Sequence, residues 1–166
     1  MVPMALSSSI PISEADMTWE FVARRLFEDE NSTATAISTP AGESICCLLE
    51  PGPRDRLKAA SYPLTLNPMG WYSGDEQVAK AHDPLGYRGA VSIGKDVIIL
   101  PSSTHISAKS VIAAWHVVKS GERYIVPPDG AFDGKNHGDA FAWLLHNLYL
   151  AIDTGGASVR IMDIAK

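Results

Sequence analysis

The spacing of apolar residues changes along the chain, and each change predicts an element. Trp19, Val22, Ala23, Leu26 and Phe27 fall at three-and-four spacing, with Arg24, Arg25, Glu28, Asp29 and Glu30 between them. That pattern predicts a helix from Ser13, closed at Asn31 and Ser32. From Thr33 to Leu66 the signal turns to strands: Thr35 to Thr39, Ser44 to Glu50 and Tyr62 to Leu66, separated by Pro40-Ala41-Gly42 and Pro51-Gly52-Pro53. Pro63 puts the third of these at a sheet edge. Tyr87 to Ile93 and Val97 to Leu100 flank Gly94-Lys95-Asp96 and predict a hairpin. Val111, Ile112, Trp115 and Val118 then predict a second helix, from about Thr104 to Ser120, capped by Gly121.

The strongest periodicity comes last. Tyr124 to Val126 reads as a short strand, followed by a polar glycine-rich loop. Phe141, Leu144, Leu145, Leu148, Ala151 and Ile152 then mark one buried face of a long helix. Trp143, Tyr149 and Leu150 make the opposite side apolar too, which predicts cover on more than one side. Gly155 or Gly156 ends the helix in a left-handed conformation, and Ser158 to Ile164 is a final strand. The expected fold is α/β or α+β: one domain over residues 13–166, a mixed β-sheet packed by three main helices, a C-terminal βαβα-like unit, and a flexible N-terminal arm over residues 1–12.

Composition narrows the function classes. The 166 residues carry net charge −5, which does not favour a surface built to neutralise nucleic-acid phosphates. No apolar run reaches the roughly 20 residues that span a bilayer. Cys46 and Cys47 are adjacent, so on a strand they face opposite ways and do not pair. Reduced thiols predict a cytoplasmic protein.

One loop gathers groups that could do chemistry. Asp129, Asp133, His137 and Asp139 bring three carboxylates and an imidazole within eleven residues. Such oxygen-rich sets suit magnesium or manganese, with His137 and Asp139 as the candidate catalytic pair of a metal-dependent phosphoesterase or nuclease. The competing reading is structural: Asn136 caps the helix and Asp139 complements its dipole. The segment lacks the ligand spacing of an EF-hand. It resembles the last metal-binding helix of RNase H-like nucleases, but the carboxylates those enzymes carry on earlier strands are missing. Asp153-Thr-Gly-Gly156 resembles aspartic-protease and actin-type ATPase loops, yet too little chain follows to complete either site. Trp71 and Tyr72, between Gly70 and Gly74, are candidate partner contacts.

Gly42-Glu-Ser-Ile-Cys-Cys-Leu-Leu-Glu-Pro-Gly-Pro-Arg54 and Gly86-Tyr-Arg-Gly-Ala-Val-Ser-Ile93 resemble a small β-rich domain family of unknown function common in phages and prophages. The likeness covers about half the chain. That family carries a His-Pro-Gly-Asn turn followed by Gly-Cys, where this chain has Gly94-Lys95-Asp96-Val97; thiol–imidazole chemistry is therefore not carried over. The resemblance implies a phage-derived structural or assembly protein, with the virion as an alternative location. Every catalytic pattern lacks a member, so the expected function is non-enzymatic binding or assembly through a protein partner or homo-oligomer, without a cofactor. An acidic immunity or inhibitor protein is a further alternative.

Overall fold

The structure is a computed structural model that describes residues 19–67, 90–100, 110–131 and 134–165. Among the described residues, ten strands and one helix run in the order β1 (Trp19–Glu28), β2 (Ser32–Ser38), β3 (Ser44–Pro51), β4 (Ser61–Asn67), β5 (Ala90–Ile93), β6 (Val97–Leu100), β7 (Ser110–Ala114), β8 (Val118–Ser120), β9 (Arg123–Ile125), α1 (His137–Thr154) and β10 (Ala157–Met162). Eight of the strands close into a barrel in the order β1-β10-β4-β5-β6-β7-β3-β2, and β8 and β9 form a separate ribbon. The pairs β1–β10 and β6–β7 are parallel and the rest antiparallel. This replaces the expected sheet packed by three helices, and the βαβα-like unit with it: among the described residues there is one helix.

Within the first expected helix, Trp19–Glu28 form the strand β1, and Arg25 is the reason the pattern misleads. Phe21, Ala23 and Arg25 point inward at period two, while Arg24 and Leu26 face solvent. A charged residue on the inner face breaks the alternation that marks a half-buried strand, leaving a false helical stripe. The second expected helix overlaps β7, whose five residues are all buried. A short continuous apolar run does not distinguish a strand covered on both faces from a buried helix; here β-branched Val111 and Ile112 take the strand form. Gly121, expected to cap that helix, instead turns β8 into β9 at φ 64°.

The strands β2, β3 and β6 and the β5–β6 hairpin lie close to where the sequence puts them. Pro63 is not at an edge, because β4 lies between β10 and β5. Its carbonyl accepts from Gly94 N–H at 2.9 Å, so its nitrogen faces the β5–β6 turn, beyond the last ladder pair Leu64–Ile93, where no donor is required.

The ladders give the barrel two distinct ends. The starts of β1, β3 and β10 and the finish of β7 meet at one end. Both termini of α1 attach there, through Trp115 just after β7 and Gly156 just before β10, so the helix lies across that mouth. Phe141, Leu144, Leu145, Leu148 and Ala151 point into the barrel, as their spacing predicts. Trp143 and Leu150 do not follow the expectation of cover on the second side: they are 47% and 53% exposed. Below the helix the inner rows pass from Ala23, Ile37 and Cys46 to Arg25, Thr35 and Leu48, and then to Thr33 and Glu50. The interior thus grades from apolar to charged.

Candidate functional site

At the end opposite α1, Arg25 is 2% exposed and every arm of its guanidinium is engaged. Nε donates to Glu50 Oε2 at 3.1 Å and Nη2 to Glu50 Oε1 at 2.9 Å. Nη2 also reaches the Leu57 carbonyl at 2.6 Å, and Nη1 the Asp163 carboxylate at 2.9 Å. Thr35 donates its hydroxyl to the same Glu50 carboxylate. Arg56 extends the cluster, donating to Thr33 Oγ1 at 2.9 Å and lying 3.3 Å from Glu28 and 3.5 Å from Asp163. Burial works against the Arg25 charge, but the hydrogen bonds and charges of Glu50 and Asp163 outweigh it. The guanidinium holds its proton more tightly than a free arginine would. With these donors turned into the fold, the cluster braces the mouth.

Directly after Arg25 the β1–β2 register slips, pairing Arg25 with Thr35 and Phe27 with Ala34. The extra residue of this β-bulge moves Phe27 to the outer face, although it lies two positions beyond an inward side chain. Leu26 and Phe27 end up 40% and 58% exposed. The Phe27 ring stacks on Tyr124 of β9, with centroids 6.2 Å apart and planes at 18°. Lys119 Nζ of β8 lies 5.5 Å from the Tyr124 ring centroid.

A short polar relay fixes this platform. Asp29 Oδ1 accepts from the backbone of Asn31 at 2.8 Å and of Ser32 at 2.9 Å, and from the Ser32 hydroxyl at 3.2 Å. Ser32 Oγ in turn accepts from Tyr124 N–H at 2.6 Å. The turn after β1 therefore clamps the ribbon that carries Tyr124. Sequence spacing alone puts Leu26 and Phe27 in a helical core; the hint of their real place is that they stand side by side just before the turn residues Asp29 to Ser32.

Of the loop residues expected to bind a metal, Asp129 and His137 are engaged at the start of the helix. Asp129 Oδ1 accepts from His137 N–H at 2.8 Å and so caps the start of α1, while Asn136 makes no side-chain cap. This carboxylate takes the position an anion would occupy at a helix N-terminus. His137 is buried, and its Nδ1 accepts from Trp115 N–H at 3.0 Å. The neutral ring consequently carries its proton on Nε2. Metal-bound histidines show the reverse polarity, donating from the nitrogen that does not touch the metal. Asp139 is exposed in the first helical turn. Among the described residues no three His, Cys, Asp or Glu side chains are grouped to hold a metal ion. Asp133, Trp71 and Tyr72 lie outside the described residues.

Around this helix start, Lys135 Nζ lies 5.1 Å from the Trp115 ring centroid, and His116 meets His137 edge-on with centroids 6.3 Å apart. Cys46 faces the core beneath α1 and Cys47 the other side, with no disulfide, as adjacent strand positions require. Burial raises both thiols above the ordinary range, Cys47 adding to the effect on Cys46. Neither is set up as a nucleophile. Among the described residues no helix is long and apolar enough to cross a membrane. Comparison of the chain with protein-family models, with curated proteins and with solved structures returns no match.

Proposed function

We propose that this protein is a non-enzymatic binding module that engages a protein partner through the Leu26–Phe27–Tyr124 platform. The bulge carries the reading: it turns two consecutive large apolar side chains to solvent and stacks one on a second, clamped aromatic. Rigid exposed aromatics supply contact area at little cost in side-chain entropy, which is why they anchor protein interfaces. Lys119 at the rim adds a positive charge for a partner's carboxylate. At the helix start Asp129 Oδ1 and His137 Nδ1 accept from backbone donors, which supports a structural part for these two groups.

The test is to capture the partner from the native host with full-length tagged protein and titrate it against wild type and Phe27→Ser. Because Phe27 is exposed, the variant should unfold at nearly the wild-type temperature, while its affinity for the partner falls at least about tenfold, as for an interface anchor. Equal affinities for the two proteins would remove the platform from the interface. If sedimentation showed a monomer and no partner were captured, the proposal would have no support.

A further inference from the structure

The outer face of α1 is apolar where a surface helix ordinarily turns charged residues to water. Trp143 and Leu150 are exposed there, and the Trp143 ring stacks on His146 with centroids 5.7 Å apart and planes at 18°. Asp139 and Thr154 are exposed toward the two ends of the same stripe. From Ala140 to Ile152 the helix carries no Asp, Glu, Lys or Arg. Phe141, Leu144, Leu145 and Leu148 are the residues that fill the barrel, so closure already has its own stripe and this is a second one.

The second stripe reads alike from both ends. About a point midway between His146 and Asn147, Trp143 and Leu150 lie three and a half positions to either side, and Asp139 and Thr154 seven and a half. At helical pitch these four project within about 30° of one line, and His146 and Asn147 flank it at about 50° on opposite sides. A two-fold contact requires such a pattern, because each half of the patch must fit the other half of an identical copy. We infer that the outer face of α1 pairs two copies of this chain as antiparallel helices about an axis between His146 and Asn147. Trp143 of each copy then meets Leu150 of the other, His146 meets Asn147, and Asp139 meets Thr154.

Charge and area select this occupant. None of these pairs opposes like charges, and at the centre no ion is stripped of water when one neutral stripe meets another. Each helix N-terminus lies beside the other's C-terminus, where the dipoles attract. A stripe about 22 Å long on a helix about 10 Å wide covers on the order of a few hundred Å² per copy, against roughly 800 Å² per partner in a stable complex. The area therefore sets a small, reversible dimer, with Trp143 and Leu150 as its anchors.

Sedimentation equilibrium of the full chain over a concentration series tests this, with Trp143→Lys and Leu150→Glu measured alone and mixed. Wild type should pass from monomer to dimer as concentration rises. Each variant should bind itself at least about tenfold more weakly, since a charge then faces an apolar side chain. Mixing the two should restore association: the introduced lysine meets the introduced glutamate, and one original Trp143–Leu150 contact is kept. Recovery on mixing also shows that neither variant has lost its fold. A wild type still monomeric at about millimolar concentration would overturn the inference, as would variants that dimerise like wild type or a mixture no stronger than its parts. A foreign protein held by this face in wild type and lost in both variants, without self-association, would overturn it in favour of another partner. Phe27 lies at the other end of β1, so Phe27→Ser should dimerise as wild type does; loss of the dimer in that variant would assign it to the platform instead.

Discussion

The two ends of the barrel close by opposite means. At one, α1 lays Phe141, Leu144, Leu145 and Leu148 over the open strands, and closure is apolar. At the other, Arg25 and Glu50 pair inside the barrel while Asp163, Leu57 and Arg56 finish the network. An apolar plug tolerates small losses in proportion to the volume removed. A buried ion pair does not, because removing one partner strands the other charge. The same contrast separates position from function. The braced end fixes Arg25, and the bulge one residue later aims Phe27 outward, so the polar mouth sets the stage for the platform without belonging to it.

Cutting the braced end should show the largest effect. Glu50→Ala leaves the Arg25 charge buried and is expected to cost about 3–5 kcal/mol in urea unfolding, whereas Arg25→Met/Glu50→Leu should recover most of that loss. If the double variant is no better than the single, stranded charge is not the cause. At the apolar end Leu148→Ala should cost about 2–5 kcal/mol, with no dependence on salt, since it removes packing alone.

Alkaline pH probes the apolar end selectively. Cys46 and Cys47 keep their protons in the fold, while in the unfolded chain thiols ionise near pH 8.5. Above that pH the unfolded state binds fewer protons, so stability should fall as pH rises, by at most about 1.4 kcal/mol per pH unit for each thiol. Cys46→Ala should flatten that slope in a pH series of unfolding curves. An unchanged slope would show the decline comes from elsewhere. The smallest effect is expected at Asp163, whose side chain is 59% exposed. Asp163→Asn should cost less than about 1 kcal/mol, and salt should shrink the difference.

The helix α1 was legible in the sequence because its inward residues obey one local period from Phe141 to Ala151. β2 and β3 were legible because turn residues bracket them. β1 was not, since Arg25 faces inward on account of Glu50, twenty-five residues away, and of Asp163 at the far end of the chain. β7 was hidden by being buried on both faces. Barrel closure depends on the parallel β1–β10 and β6–β7 pairings, and no local spacing encodes which strands become neighbours. The platform was hidden for a related reason. A bulge is a property of two strands in register, so Leu26 and Phe27 read as core until β2 is laid beside β1.

The seam between β1 and β10 joins partners about as distant as this fold allows; Arg25 and Asp163, which face each other across it, are 138 residues apart. Until the last strand is in place, β1 and β4 each present an unpaired row of backbone donors and acceptors. Loss of the C-terminal strand would thus convert a rimless cylinder into an open sheet with two adhesive borders, ready to recruit further chains.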